Sequence, residues 1–139
     1  MLPMRDRGPR PVVTPPESGV VAITDPREAV ILVVDGEPLF RRASFRALSR
    51  LAAVVVHCAG SLAEARMILQ KLKPDLIVSD LVLEDGSGLE LQVHGVPMLF
   101  LAADTTRCPP SIEAIEKPLP IIQLRERVAE RLYQLVAEV

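Results

Sequence analysis

The chain contains no tryptophan, one tyrosine and three phenylalanines in 139 residues. So few rings leave no aromatic platform on which nucleic-acid bases would stack. A net charge of −2 at pH 7 supplies no basic field for a phosphate backbone either. The two cysteines, Cys58 and Cys108, lie far apart and form no CxxC or metal-ligand pattern, which argues against zinc and against a disulfide framework. His57 sits in an apolar stretch and His94 beside Gly95, neither with a serine or cysteine arranged for nucleophilic catalysis. No apolar run approaches the roughly 18 residues of a membrane span, and runs such as Ala29–Val34 are strand-sized. No charged segment followed by an apolar one opens the chain, so no secretory signal is read and a cytoplasmic location is expected. Hydrophobic residues at 49% and charged residues at 24% fit a globular domain able to bury a core.

Composition shifts near residue 28. Six of the thirteen prolines fall in residues 1–27, and Pro9–Pro16 favours extended polyproline II. Residues 1–28 therefore read as an N-terminal arm, with Arg5, Arg7 and Arg10 solvated or facing a partner. Residues 29–139 read as one domain in which strand and helix signals alternate. Ala29–Val34 is a strand buried on both faces. From Pro38 to about Leu51 a helix is predicted with Leu39, Ala43, Ala47, Leu48 and Leu51 inward, and with Arg42, Arg46 and Arg50 on a solvated or docking face. Ala53–Cys58 is a second strand. Ser61 and Glu64 form a capping box for a second helix, with Leu62, Ala65, Leu69 and Leu72 inward and Pro74 as its stop. Leu76–Ser79 and Pro97–Ala102 are further strands, and Ser111–Glu116 is a candidate fifth. A last helix starts at Pro120, whose missing N–H is harmless in a first turn.

Such alternation predicts an α/β fold: a doubly wound five-stranded parallel sheet with helices on its faces. Chemistry in such sheets gathers at the carboxyl ends of the strands, where the strand order reverses. Asp35, Asp80 and Lys117 each follow a predicted strand. A convergent acidic pair attracts a hard divalent cation such as Mg²⁺. An aspartate beside it is able to attack a phosphoryl group, with a lysine pairing to the product.

The residues that carry this reading resemble a known family. Ile31-Leu32-Val33-Val34-Asp35-Gly36-Glu37-Pro38 is similar to the opening of response-regulator receiver domains (CheY-like). Pro74 to Asp80 looks like their phosphoacceptor strand, Leu83 to Leu91 like the loop after it, and Lys117-Pro118 like their Lys-Pro pair. The resemblance covers about residues 29–136 and implies a flavodoxin-like fold of strand order 2-1-3-4-5. It implies Asp80 as phosphoacceptor and Lys117 as the phosphate-pairing lysine, followed by a cis proline bond. Asp35, Asp80 and the backbone carbonyl of Val82 become the Mg²⁺ ligands. The implied partner is a histidine kinase or phosphotransfer protein.

The departures qualify this. Gly36 stands where the family has a second acidic residue, normally a direct metal ligand, so Mg²⁺ binding is expected to be weak or absent. Ala102 replaces the Ser or Thr that would hydrogen-bond the phosphoryl group, with Thr105 and Thr106 just beyond. Ala114 replaces the switch aromatic, and Glu84 the proline of the loop after Asp80. Leu89–Val93 leaves room for only a shortened helix 3. Ala103–Pro110, with Cys108-Pro109-Pro110, carries no helical pattern, so helix 4 is missing or degenerate. The apolar strand Met98–Ala102 then needs another cover, from Val12–Ile23 of the arm or from a partner, which makes the strand 4–strand 5 side a candidate homodimer surface.

The expectation is a stand-alone receiver, not an enzyme, accepting phosphate on Asp80 and signalling through protein contacts, with no nucleic acid and no membrane. With one helix after Lys117, no output domain is expected. The alternative is a phosphorylation-independent pseudo-receiver acting as an interaction or dimerisation module. A flavodoxin-like enzyme or ligand binder is disfavoured, since no Gly-rich phosphate loop follows the first strand.

Overall fold

The computed structural model describes residues 28–137. The first strand, β1 (Ala29–Val34), lies in the middle of a parallel sheet. It is followed by α1 (Pro38–Leu48), β2 (Val54–Ala59), α2 (Leu62–Leu69) and β3 (Leu76–Asp80). A small hairpin of β4 (Val82–Leu83) and β5 (Gly86–Ser87) leads into a 3₁₀ segment, Gly88–His94. Then come β6 (Met98–Ala102), β7 (Ala114–Glu116) and α3 (Ile121–Ala137). The sheet order is β2-β1-β3-β6-β7, with every neighbouring pair parallel. This is the expected flavodoxin-like order.

Alternation along β1 sorts the core into two layers. Ile31 and Val33 face α1 and α3 with Leu48, Val78, Leu99, Leu101, Leu124 and Val128. Leu32 and Val34 face α2 and the 3₁₀ segment with Ile77, Leu62, Ala65, Leu91 and Val96. Each layer buries several full aliphatic side chains, each stabilising by roughly 1.5–3 kcal/mol relative to exposure.

Local corrections have local causes. The inward face of α1 is set by Phe40, Ser44, Leu48 and Leu51, and Leu39 is 79% exposed. The buried polar Ser44 breaks the apolar pattern and shifts the periodicity by one residue. Strand β2 begins at Val54 because Ala53 adopts a left-handed φ of 57°. Helix α2 ends at Leu69, well before Pro74, so Leu72 lies beyond the helix and is half-buried. Only Ala114–Glu116 of the candidate fifth strand pairs with β6.

Both helix reductions hold. The crossover from β3 to β6 has the seven-residue 3₁₀ segment, opened by a Ser87–Glu90 capping box and closed by Gly95 at φ 70°. The crossover from β6 to β7 carries a single 3₁₀ turn, Thr105–Arg107, capped by Asp104. It is tied down by Glu113, which accepts from Arg127 at 2.6 Å and lies 3.1 Å from Arg131. Strand β6 is nevertheless covered: Leu99, Phe100 and Leu101 are at most 1% exposed. Residues 12–23, one of the covers considered, lie outside the described residues.

Gly88 is required by a close approach. Its N–H donates to the Leu81 carbonyl at 2.8 Å, and a Cβ there would overlap the Asp80 carbonyl oxygen and crowd Ser79 Oγ. Gly88→Ala is expected to destabilise the fold by about 1–3 kcal/mol, the usual cost of overpacking. A denaturant midpoint equal to that of the parent chain would contradict this packing.

Candidate functional site

The β1–β3 register pairs Val34 with Ser79, which sets Asp35 and Asp80 side by side at the switch in strand order. Lys117 follows β7, two strands from β3, and crosses the end of β6 where Ala102 presents only a methyl group. Its backbone N–H donates to the Ala102 carbonyl at 2.8 Å, and the Lys117–Pro118 bond is cis. The ammonium then donates to Asp35 Oδ2 at 3.0 Å, Asp80 Oδ1 at 3.1 Å and Glu37 Oε1 at 3.4 Å. The three residues singled out from sequence thus meet at one point.

The remaining carboxylate oxygens are also engaged. Asp35 Oδ1 accepts the Glu37 N–H at 2.8 Å, and Asp80 Oδ2 accepts the Gly36 N–H at 3.3 Å. The side chain of Asp35 is 1% exposed, that of Asp80 14% and that of Lys117 16%. Burial, and then the charge of Asp35, push the Asp80 carboxyl up to about 6, with Lys117 acting the other way. Burial alone would lower the Lys117 pKa. Its hydrogen bond to Asp35 and the charges of Asp35 and Asp80 outweigh that and hold it above the usual lysine value.

Two contacts were not read from sequence. Lys117 Nζ lies 4.3 Å from the centroid of the Phe40 ring, a cation–π contact. Arg41 donates from Nη1 to the Asp35 carbonyl at 2.7 Å and braces the loop between β1 and α1. The signal for Phe40 was its place in the first turn of the helix after Asp35, masked by the adjacent Leu39. Asp85 was read only as part of a family-like loop. It caps α2 by accepting the N–H groups of Leu62 and Ala63 at 3.0 and 3.1 Å, which hold its pKa below the ordinary aspartate value.

Other candidates fall elsewhere. The Thr105 and Thr106 hydroxyls bond Glu116 and Asp104, away from Asp80. His57 is half-buried on β2, an edge strand. Val82 lines the cleft beside Asp80, with Phe40, Ala102 and Leu119 as further apolar walls. Mg²⁺ demands near-octahedral oxygen ligands at about 2.0–2.1 Å. Here every oxygen of Asp35 and Asp80 already accepts a hydrogen bond, and Gly36 adds no carboxylate. Among the described residues no group of three His, Cys, Asp or Glu side chains is arranged to hold a metal. The residues present fit Mg²⁺ poorly. No helix among the described residues is long and apolar enough to cross a membrane.

The fold is a flavodoxin-like sheet with two aspartates and a lysine converging on its switch point, the place where such sheets bind ligands. Residues 31–94 match the family model described as the response regulator receiver domain. The solved receiver domain of the hybrid histidine kinase CckA is 26% identical, with 75% of this chain and 99% of that one covered and a TM-score of 0.63. The CheY-like receiver domain protein of Methanospirillum hungatei JF-1 is 19% identical over 81% of this chain and 99% of that one, TM-score 0.67. The response regulator PhyR of Brucella abortus is 23% identical over 80% of this chain and 50% of that one, TM-score 0.66. No curated protein matches the chain. Over residues 31–94 the chain is similar to a response regulator receiver domain, and the solved receiver structures share its fold.

The raised Asp80 carboxyl makes stability depend on pH. Between the ordinary aspartate value of 3.8 and about 6, the folded chain holds more protons than the unfolded one. Stability therefore falls as pH rises through that window and stays reduced above it. In chelator-treated buffer, Asp80→Asn is expected to be more stable than the parent by about 1 kcal/mol at pH 7, a gain that fades towards about pH 4. Melting curves with the same offset at both pH values would contradict it.

Proposed function

We propose that this receiver domain accepts a phosphoryl group on Asp80 and passes the signal on through protein contacts. The observation that supports it is the Lys117 ammonium held 3.1 Å from Asp80 Oδ1 at the carboxyl ends of β3 and β7. In the proposed step an Asp80 carboxylate oxygen attacks the phosphorus of a phosphohistidine on a kinase or phosphotransfer protein. The P–O bond forms as the P–N bond breaks, and the electron pair leaves with the imidazole nitrogen, which takes up a proton. Lys117 pairs with the phosphoryl oxygens as a point charge. Ala102 offers them no hydroxyl, and a hydrogen bond to a charged group is worth about 1.5–3 kcal/mol. Transfer is therefore slow and the acyl phosphate weakly held. As a signalling module the domain has no turnover of its own.

The proposed docking face is the groove between α1 and α3. Ala43, Ala47, Ile121 and Ile122 line it, and Arg46, Arg50 and Arg125 stand around it. The arginine spacing read from sequence thus borders an apolar groove suited to a helical partner with acidic flanks. A homodimer through the β6–β7 side has less support, because β6 is already buried. A second reading, a phosphorylation-independent interaction module, is favoured by Gly36 and Ala102, which together strip the cleft of one carboxylate and one hydroxyl.

Intact mass after incubation with a small phosphodonor, and with a phosphorylated histidine kinase, separates the two. An adduct absent from Asp80→Asn supports phosphorylation, and no adduct from any donor leaves the interaction module. Ala102→Ser is expected to lengthen adduct lifetime by about fivefold or more, the effect of one charge-assisted hydrogen bond. Arg46→Glu with Arg50→Glu is expected to slow transfer from the kinase while leaving the small donor unaffected. Equal losses with both donors would remove the docking assignment.

A further inference from the structure

We infer that Lys117 is the resident cation of this cleft, standing where a divalent ion would sit, and that Gly36 is what keeps such an ion out. The inference concerns the same cleft as the proposed function, but it is read by metal binding alone, without any phosphoryl donor.

Three observations carry it. The first is that a cation already bridges the acidic pair. Lys117 Nζ takes one oxygen each from Asp35 and Asp80, and the Glu37 and Gly36 N–H groups take the other two. Each oxygen keeps a second lone pair, so a divalent ion would have to share the acidic pair with the Lys117 ammonium, whose like charge opposes it. The second is the anchoring of the lysine. Its ammonium also meets Glu37 Oε1 at 3.4 Å and the Phe40 ring at 4.3 Å, so it has reasons to stay that do not depend on Asp80. Glu37 serves the lysine here and is not a substitute for the missing acid. Its side chain is 72% exposed, while that of Asp35 is buried.

The third observation is room. A Cβ built on Gly36 meets nothing closer than the Gly60 carbonyl oxygen at 4.0 Å, and Gly36 has no left-handed φ. Sterics do not impose glycine at this position. Its effect is to withhold a carboxylate from the rim of the Asp35–Asp80 pair. Lys117 already meets three carboxylates, of which Glu37 is exposed; adding another at the rim of the buried pair is the step that favours a dication over Lys117.

The test uses the full chain and Mg²⁺ or Mn²⁺ alone, read by calorimetry and by Mn²⁺-induced broadening of amide resonances near Asp80. The parent chain and Gly36→Ala are expected to show no saturable binding at millimolar metal. Gly36→Asp is expected to bind one ion at least about tenfold more tightly, with a melting temperature that rises with metal concentration. Lys117→Gln in the parent background is also expected to tighten binding, because it removes the competing cation. Circular dichroism of each variant confirms that it is folded. Saturable binding to the parent chain that is lost in Asp35→Asn overturns the inference. So does a folded Gly36→Asp that binds no better than Gly36→Ala, or a folded Lys117→Gln whose affinity is unchanged.

Discussion

The structure depends on one buried charge arrangement: an ammonium held between two aspartates at the point where the sheet reverses its strand order. Moving a carboxylate out of water costs several kcal/mol even after relaxation, and two adjacent carboxylates also repel. Asp35 at 1% exposure is tolerable only because Lys117, the Glu37 N–H and the Arg41 brace on the loop all converge there. The lysine arrives from the far side of β6, so the pair constrains the positions of β1, β3, β6 and β7 together. Ala102 permits this crossing because it presents only a methyl group. The substitution that deprives a phosphoryl group of a hydroxyl is therefore compatible with the lysine's reach.

The charge balance of the cleft explains why the fold and its chemistry diverge. Two buried carboxylates share one ammonium, and burial, with the charge of Asp35 added to it, pushes the Asp80 carboxyl up to about 6 against the pull of Lys117. An incoming phosphoryl group carries further negative charge. A receiver with a bound dication neutralises that charge at the transferring oxygens. With Lys117 as the cation, one ammonium serves both the acidic pair and the incoming group. On the proposed reading the acceptor carboxylate and its lysine are in place, while much of the electrostatic stabilisation that speeds transfer is not.

Much of this was legible in the residues. Continuous β-branched runs marked the strands buried on both faces, and alternation with helices made the sheet parallel. Asp35, Asp80 and Lys117 were readable because strand ends in such sheets point to one edge. Gly36 and Ala102 stood out against the family pattern, and Pro109–Pro110 made a fourth helix implausible. Two kinds of feature were hidden. The phase of α1 was misread because Ser44 is buried at 0% exposure and has no hydrogen-bond partner for its hydroxyl among the described residues, which composition alone marks as a surface residue. That error moved Phe40 off the site. The Asp85 cap on α2 and the Glu113 tie to α3 join segments distant in sequence, and no periodicity encodes such contacts.

The same contacts indicate which way a signal would leave the cleft. In the usual receiver arrangement a hydroxyl on the fourth strand and an aromatic on the fifth couple the phosphoryl group to the far side of the sheet. Here those positions are Ala102 and Ala114, and the crossover between the two strands is pinned by Glu113 to Arg127 and Arg131. That side lacks both of those groups, and its crossover is tied to α3 by ion pairs. Lys117, by contrast, touches Glu37 at the N-cap of α1 and Phe40 in its first turn. If Lys117 moves towards a phosphoryl group on Asp80, it loosens those contacts, and both belong to the helix that forms one wall of the arginine-rimmed groove. On the proposed reading, a domain without a fourth helix connects its acidic pocket to the arginine-rimmed groove by way of its first helix. A ligand shifts a conformational balance only through contacts that differ between the two states, and on the proposed reading the contacts of Lys117 with α1 are the ones that differ.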